Sequence, residues 1–360
     1  MSHTAIAADV AVVGGGIIGL ATAERLTARG LTVVVIDETG IAGGATGASG
    51  GLVRAYDPGG HHEAWAAAGL ETYLRQGHRG TWPRVRAQGS VTLLPESDAA
   101  RAAAAVAGLR AAGHKADVLA GQEITTRFPG LAVPDGLCGV YEPEAGWLPV
   151  RAVSTAVLAD AGSGLRLLRA RATRLLVSGS RIAGVATAAG PVHAPAVLLA
   201  AGVGSTRLAA SVDVQLPLRT RSVGFCLFEA DEGTDLAALP TLVDRTTGAW
   251  LRPWGTGSLV LAGVTSKETD VPVTVRSGVS AREQQRVRDV IRHRHPQLAH
   301  APGRGGTTAY DAMSPSGRGA VTVHGEVAGL VSATGWNGGG FKLAPAVGEF
   351  AAERIAEVVS

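Results

Sequence analysis

Residues 9–38 constrain the fold more than any other part of this chain. Val10–Val13 is a short apolar, β-branched run of the kind that forms a buried parallel strand, and it leads directly into Gly14-Gly-Gly-Ile-Ile-Gly19. The next residues have helical apolar spacing, and a second strand over residues 31–36 stops at Asp37. This order predicts a dinucleotide-binding βαβ unit, because a strand, the G-x-G-x-x-G motif, a helix, a second strand and an acidic residue follow one another. The alternative is a glycine-rich turn in another α/β protein.

Each glycine of this motif, and the acid after it, has its own physical role. Gly14 permits the tight turn, Gly16 lets a pyrophosphate approach the backbone, and Gly19 lets the helix pack close to the strand. Free N–H groups at the helix start would hold the phosphate charge. Asp37 would accept hydrogen bonds from ribose hydroxyls.

Composition narrows the class of protein. With 360 residues, of which 46% are hydrophobic and 18% charged, the chain is long enough for about two domains with a large core. No segment has the roughly 18 unbroken apolar residues of a membrane span, and the N-terminus has no basic region typical of a secretory signal. Cys138 and Cys226 lie outside metal-ligand spacing, so we expect reduced thiols, no metal and a cytoplasmic location. A net charge of +3 without a basic cluster interleaved with aromatics indicates no nucleic-acid partner.

Three later segments rich in small residues favour a flavin over a nicotinamide. Residues 39–51 consist almost wholly of Gly, Ala, Ser and Thr, so their backbone would pass close to a flat group, where a nicotinamide dehydrogenase would have another βα unit. A predicted strand over residues 192–199 is again followed by small residues, at 200–205. The third segment, residues 335–340, is a glycine-rich turn between a predicted strand and the final helix. The positive end of that helix dipole would favour negative charge on the N1–C2=O edge of the flavin.

Four stretches together resemble the D-amino-acid-oxidase superfamily of FAD enzymes, in the branch that contains glycine oxidase and monomeric sarcosine oxidase. They read VAVVGGGIIGLATAERLTARGLTVVVID, GWLPV, VLLAAGVGS and GWNGGGFKLAPAVGE. The likeness covers nearly the whole chain. It implies an α/β fold in which a glutathione-reductase-type, Rossmann-like FAD domain is interwoven with a substrate domain built on a mixed, mainly antiparallel sheet. The domains would comprise residues 1–85, 146–215 and 306–360 for FAD, and residues 86–145 and 216–305 for substrate.

The resemblance also implies which residues contact the cofactor. Asp37 would bind the adenosine ribose, and the backbone of Ala172 would contact the adenine. Ala309 stands where sarcosine oxidase has the cysteine that tethers FAD, so a non-covalent flavin is expected. The full predicted cofactor set is Gly14, Gly16, Ile17, Ile18, Gly19, Asp37, Glu38, Ala45, Ser49, Gly50, Gly51, Leu52, Ala172, Ala201, Gly202, Gly335, Asn337, Gly338, Gly339, Gly340, Phe341 and Lys342.

For the substrate, the resemblance implies that Arg54 and Lys342 hold a carboxylate. Arg54 can grip it in bidentate fashion and Lys342 adds a point charge; the alternatives are a solvated loop arginine and a surface lysine. Trp250 stands where glycine oxidase has a tyrosine, and Thr265 where sarcosine oxidase has a histidine. Trp336 is expected near the flavin, with core packing as its alternative, and Arg252 either reaches the substrate or stabilises its strand.

Other departures from the family pattern bear on the substrate. Ser314 and Gly338 stand where glycine oxidase has arginines, which disfavours glycine, and Val260 replaces the lysine that activates oxygen in sarcosine oxidase. The implied reaction is oxidation of an amino-acid amine, with hydride transfer to flavin N5, imine hydrolysis and reoxidation by O2 to H2O2. An N-substituted glycine is the predicted substrate, and the predicted context is secondary metabolism. The alternatives are a D-amino acid or glycine oxidase, a flavin dehydrogenase with another acceptor, a tRNA-modifying flavoprotein and a nicotinamide-dependent dehydrogenase.

The sequence also predicts details of the secondary structure. Residues 165–176 and 181–187 have the pattern of a strand pair. A helix is expected over residues 61–82 and another over residues 280–295, where the pattern is highly charged. Neither the electron acceptor nor the oligomeric state follows from these patterns.

Overall fold

A mainly parallel sheet with Val-rich strands near the N-terminus lies at the centre of one part of the fold. A computed structural model describes residues 6–274 and 278–359. Within those ranges the strands are β1 (Ile6–Ala7), β2 (Val10–Val13), β3 (Val33–Asp37), β4 (Leu52–Val53), β5 (Ser90–Pro95), β6 (Asp117–Ala120), β7 (Leu137–Glu142), β8 (Gly146–Trp147), β9 (Leu165–Arg169), β10 (Ala172–Ser178), β11 (Arg181–Thr187), β12 (Gly190–His193), β13 (Ala196–Leu199), β14 (Arg219–Glu229), β15 (Thr241–Asp244), β16 (Ala249–Trp254), β17 (Leu259–Val264), β18 (Gly303–Met313), β19 (Ala320–Val323) and β20 (Leu330–Thr334). The α-helices are α1 (Ile17–Ala28), α2 (Glu63–Arg79), α3 (Ala99–Ala111), α4 (Gly121–Arg127), α5 (Val150–Asp160), α6 (Ser205–Ala210), α7 (Ala281–Ile291) and α8 (Gly340–Val359).

Six strands form the first sheet, in the order β19-β20-β13-β2-β3-β9. All neighbours are parallel except β19 and β20. Strands β2 and β13 are buried along their whole length, because both faces of the sheet are covered. Helices α1, α2, α5 and α8 pack on one face, and the four-stranded sheet β1-β12-β11-β10 covers the other.

The chain leaves the first sheet between Arg169 and Ala172, and this break corrects one prediction. Residues 165–176 are two strands rather than one: β9 pairs in parallel with β3, whereas β10 pairs with β11 in the four-stranded sheet. The reason is a turn at Ala170, whose N–H donates to the carbonyls of Asp37 and Leu168 and redirects the chain. The predicted pairing with residues 181–187 agrees with the structure for β10 alone.

The second large sheet has eight strands in the order β18-β14-β17-β16-β15-β5-β7-β6. Only β15 and β5 run parallel among these neighbours. Its apolar core includes Phe228 and Leu251 and is covered by α4 and α7. The predicted α/β fold, with a helix-flanked parallel sheet and a mainly antiparallel second sheet, is confirmed. The predicted domain boundary at residue 306 falls inside β18, and the division into domains stays a prediction.

Helix α8 crosses both neighbouring helices at glycines. An added Cβ at Gly348 would lie 2.7 Å from the backbone of Ala21 in α1, and one at Gly69 in α2 would lie 2.1 Å from the carbonyl oxygen of Lys342. The three helices therefore approach one another at backbone distance. Among the helices of the described residues, none combines the length and hydropathy of a membrane span.

Replacing Gly348 with Ala tests this close packing. Because the new methyl group would overlap Ala21, we expect the free energy of unfolding to fall by about 1–3 kcal/mol, measured by urea denaturation of the FAD-bound protein. The matched control is Gly108→Ala in α3, where an added Cβ meets no atom within 4 Å of the described structure, and this change should stabilise by about 0.5–1 kcal/mol. Shifts of the same sign for both variants would contradict the assigned packing.

Candidate functional site

One cavity of about 1510 Å³ runs along the carboxyl ends of the parallel strands to the inner face of the eight-stranded sheet. It begins at Val13, Ile36 and Ala200, where β2, β3 and β13 end, which is where α/β sheets bind their ligands. The volume exceeds the roughly 300–1,000 Å³ of common small-molecule sites, so a dinucleotide and a small substrate would fit together. Every residue predicted to contact cofactor or substrate lines this cavity except Gly19, Gly51 and Arg252.

The glycine motif shows why two of its members are not replaceable. Gly14 has φ +119°, and an added Cβ would lie 2.3 Å from the carbonyl oxygen of Ala200. An added Cβ at Gly19 would lie 2.1 Å from the carbonyl oxygen of Gly14, so Gly19 sets the approach of α1 to β2 from outside the cavity. Gly51, with φ +68°, similarly lies against the carbonyl of Leu148 behind the small-residue loop.

Asp37 is held in place at the end of β3. Its Oδ2 accepts from the N–H of Gly15 at 2.8 Å, and its Oδ1 accepts from the backbone and hydroxyl of Thr39 at 2.8 and 2.9 Å. Glu38 lies next to it on the cavity wall, with its carboxylate 3.8 Å from Arg171. The N–H of Ile17, at the start of α1, donates to the hydroxyl of Thr46 at 3.0 Å, and sequence reasoning did not identify Thr46.

Trp250 lies in a slot between two glycines. Added Cβ atoms at Gly50 and at Gly263 would each lie 2.5 Å from its ring. The ring therefore packs against the small-residue loop on one side and β17 on the other, and it lines the cavity. Thr265 lines the cavity beside it and continues β17 through a hydrogen bond from its N–H to the carbonyl of Gly248.

Arg252 does not line the cavity but supports the loop from behind. Its Nε donates to the carbonyl of Gly50 at 2.5 Å, and its Nη1 donates to the carbonyl of Pro253 at 2.7 Å. The guanidinium lies 4.0 Å from the ring centre of Trp147 and 4.9 Å from that of Trp254. Burial lowers the pKa of Arg252 to about 9. Of the two predicted roles, the contacts match stabilisation of the strand and its neighbouring loop.

Arg54 and Lys342 lie within a buried cluster of four charged groups. Lys342 Nζ donates to Asp57 Oδ1 at 2.7 Å. Burial lowers the pKa of Lys342 to about 8, and the nearby charge of Arg54 acts in the same direction. Burial also lowers the pKa of Arg54, whose Nε has no hydrogen-bond partner in the described parts of the chain. Glu142 completes the cluster through its Oε1, which accepts from the N–H groups of Ala55 and Tyr56 at 2.7 and 3.1 Å.

The two carboxylates of this cluster respond differently to their surroundings. Burial raises the pKa of Asp57, but the charge and hydrogen bond of Lys342 outweigh burial and leave the pKa below its usual value. Burial dominates at Glu142 and raises its pKa. Sequence reasoning missed both acids; the only signal was that two charged residues stand in each of two otherwise mainly small or apolar stretches, residues 50–60 and 137–148.

The last glycine-rich turn is held in place by hydrogen bonds between Asn337 and Ser314. Asn337, with φ +51°, accepts from the N–H of Ser314 at 2.8 Å and donates to its carbonyl at 3.2 Å. Trp336 lies against Trp65 and His62, with ring centres 6.0 and 5.9 Å apart. Gly335, Asn337, Gly338, Gly339, Gly340, Phe341 and Lys342 all line the cavity.

Across that turn, Arg221 and Asp311 form a second acid–base pair that the sequence did not reveal. They are direct cross-strand neighbours in β14 and β18, with Nη2 and Oδ2 3.4 Å apart, and both line the cavity. Burial raises the pKa of Asp311, although Arg221 opposes this effect. Ninety residues separate the two in the chain, so only the strand register brings them together.

Comparisons with known proteins agree with this architecture. Residues 9–354 match the family model described as DAO, FAD dependent oxidoreductase. Monomeric sarcosine oxidase from Bacillus sp. strain B-0618 is 24% identical, over 95% of this chain and 90% of its own. Glycine oxidase from Pseudomonas putida is 30% identical, over 62% of this chain and 63% of its own. The crystal structure of L-proline dehydrogenase from P. horikoshii superposes with a TM-score of 0.87 at 20% identity, covering 98% of this chain and 94% of that one.

Replacing Arg252 with Met tests its assigned position behind the loop. The carbonyl of Gly50 would lose its partner in a buried site, so we expect the free energy of unfolding to fall by about 1–3 kcal/mol and FAD to dissociate roughly tenfold more readily. Substrate KM should change less than about twofold at saturating FAD, because Arg252 does not line the cavity. The control is the exposed Arg174→Met on β10, expected within about 0.5 kcal/mol of wild type. A large rise in KM with unchanged FAD affinity would show that Arg252 contacts substrate instead.

Proposed function

This chain belongs to the DAO family of FAD-dependent oxidoreductases, and on that premise we propose that it oxidises the secondary amine of an N-substituted glycine. The family predicted from the four motifs is confirmed, and FAD is its cofactor. The observation that most supports an amino-acid substrate is the pair of cations, Arg54 and the buried Lys342, on the wall of the cavity that the glycine-rich segments line. Asp57 already pairs with Lys342, but the Nε of Arg54 has no hydrogen-bond partner among the described residues, and an amino-acid carboxylate would supply one.

The described residues fit FAD at both ends of the cavity. The Gly14–Gly19 turn with the free N–H groups of α1 would hold the diphosphate, Asp37 the ribose and Ala172 the adenine. The small-residue loop around Gly50 would leave room for a flat ring system, since its Cβ-free backbone already lies in contact with Trp250. Ala309 lines the cavity and has no atom that could form a covalent link, which supports non-covalent binding. When bound, FAD supplies the acceptor for a hydride from the carbon next to the amine nitrogen.

Arg54 and Lys342, which form a cationic wall of the cavity, would orient the substrate by binding its carboxylate. Arg54 offers a planar set of donors, and its Nε has no partner in the described structure. Lys342 has three donors, of which Asp57 uses one, so two remain for a substrate carboxylate. Fixing the carboxylate fixes the carbon next to it, which is the carbon that is oxidised.

Several positions support a substituted amine rather than glycine itself. By the resemblance, Ser314 and Gly338 stand where glycine oxidase has arginines, and of the two Gly338 lines the cavity without a side chain to fill it. The full-length relative is named for the oxidation of sarcosine, which is N-methylglycine. We propose O2 as the electron acceptor, with H2O2 as product, although Val260 provides no cation for oxygen activation. We also propose that the reaction belongs to secondary metabolism.

Anaerobic reduction of the bound flavin tests the proposal. We expect sarcosine or longer N-substituted glycines to bleach the flavin absorbance and glycine and D-amino acids to do so more slowly, with photoreduction of the same sample as the control for a competent flavin. Bleaching only by D-amino acids with primary amines would overturn the secondary-amine assignment. H2O2 formation on admission of air distinguishes an oxidase from a dehydrogenase.

Replacing Lys342 with Met should weaken substrate binding far more than FAD retention. Losing one charged hydrogen bond to the carboxylate would raise the Kd of the substrate by about tenfold or more. Substrate Kd and FAD Kd are both measured from changes in flavin absorbance. The control is Lys115→Met, an exposed lysine paired with Glu144 outside the cavity, which should change neither. Equal weakening of both ligands by Lys342→Met would mean that Lys342 mainly holds the cofactor.

The affinity for a simple carboxylate should depend on pH through Lys342. Its pKa is lowered to about 8, so the ammonium is present below that pH and is lost above it. We therefore expect the Kd of methoxyacetate, which has no amine to titrate, to be constant below pH 8 and to rise as pH increases beyond it. In the Lys342→Met protein this rise should disappear. A rise that persists in the variant would assign the titration to another group.

A further inference from the structure

Arg221 and Asp311 form a second charged wall of the cavity, separate from the cluster around Lys342. Their side chains are 14% and 13% exposed, and their closest atoms, Nη2 and Oδ2, are 3.4 Å apart. That distance is longer than the roughly 2.7–2.9 Å of a strong charge-assisted hydrogen bond. The pair is therefore a loose one for two groups this deeply buried.

Within the pair, Asp311 has more of its hydrogen-bonding capacity used than Arg221 has. Asp311 also accepts from the backbone N–H groups of Gly338 and Ala312. Arg221 has five N–H donors, and its Nε has no hydrogen-bond partner in residues 6–274 and 278–359. A buried guanidinium with unsatisfied donors on a cavity wall is suited to an additional anionic ligand, because that ligand would supply the missing acceptors.

The cations of the two charged walls, Arg221 and Lys342, lie near two adjacent glycines of the last glycine-rich turn. A Cβ added at Gly338 would lie 3.6 Å from Arg221 Nη2, and one added at Gly339 would lie 3.8 Å from Lys342 Cε. Because adjacent Cα atoms are about 3.8 Å apart, these contacts place the two cationic groups within about 16 Å of each other. Neither glycine has a side chain to fill the space between them.

We propose that Arg221 binds a second carboxylate, carried by the substituent on the amine nitrogen, so that the substrate is a secondary amine with a carboxylate at each end. This inference rests on the proposed oxidation of an N-substituted glycine, whose own carboxylate occupies Arg54 and Lys342. In such a molecule the carboxyl carbons lie on the order of 5 Å apart, and a contact of about 3 Å at each end gives a span of about 11 Å, which lies within the limit set by the two glycines.

Arg221 is thereby a specificity residue, distinct from the groups that hold the glycine end. A bidentate guanidinium contact would select a carboxylate over a neutral arm of similar size, since Arg matches the planar geometry of two oxygens. Asp311 would orient the guanidinium and, by competing for it, lower its affinity for any anion, the second carboxylate included. The competing explanation is a cross-strand ion pair that only stabilises β14 against β18.

Equilibrium binding of two amine-free ethers to the FAD-bound protein tests the assignment independently of turnover. Diglycolate carries a carboxylate at each end, and methoxyacetate carries one. We expect the wild-type protein to bind diglycolate at least tenfold more tightly, measured from changes in flavin absorbance. Arg221→Met should abolish this difference by weakening diglycolate alone, and Arg221→Lys, which keeps the charge without the planar fork, should retain part of it.

Other outcomes would overturn the inference. Equal binding of the two ethers by the wild-type protein would do so, as would equal weakening of both in Arg221→Met. If Arg221→Met does not retain FAD, Asp311→Asn takes its place: removing the competing carboxylate should tighten diglycolate severalfold and leave methoxyacetate unchanged, and no change for diglycolate would contradict the assignment. Failure of every N-substituted glycine to reduce the flavin, with the diglycolate preference intact, would instead refute the proposed reaction and leave the second carboxylate site standing.

Discussion

The close approach of backbone to backbone at Gly14 is the constraint on which the rest of this structure depends. The turn between β2 and α1 has no room for a Cβ, because the carbonyl of Ala200 from β13 lies against it. Gly19 then brings α1 down onto the same turn, and Gly348 brings α8 onto α1. Three strand ends and two helices therefore meet at atomic contact, and the cavity opens where they meet. A larger residue at Gly14 would displace the start of the diphosphate site and the end of the neighbouring strand together.

Much of the fold could be predicted because its signals are local. Strand, glycines, helix and acid follow one another within thirty residues, so the βαβ unit and the orientation of Asp37 required no long-range information. The small-residue segments likewise indicated a flat cofactor, and their residues line one cavity. The break at Ala170 escaped prediction because the apolar pattern continues through it while the chain changes sheets.

The roles of the charged side chains of the site were harder to predict, because each role depends on partners that are distant in the sequence. Asp57 is near Arg54 in sequence, yet nothing local shows that it reaches Lys342, 285 residues away. The Arg221–Asp311 pair depends on the register of β14 against β18. Arg252 belongs to the same strand as Trp250, two residues on, yet it does not line the cavity as Trp250 does. If the proposed carboxylates bind these cations, they would compete with Asp57 or Asp311 for a group that is already partly neutralised, which would lower their affinity.

Arg252 joins parts of the chain that are about two hundred residues apart, with its guanidinium against Trp147 and Trp254 and its Nε on the carbonyl of Gly50. The short sheet of β4 and β8 fastens the same loop a second time, just beyond Gly51. Strand β16 and the loop around Gly50 are thus fixed to each other. A substrate that displaces β16 would displace this loop as well. If the loop lies against the flavin, as we propose, the size of the substituent on nitrogen would change the absorbance and reduction potential of the flavin as well as the affinity.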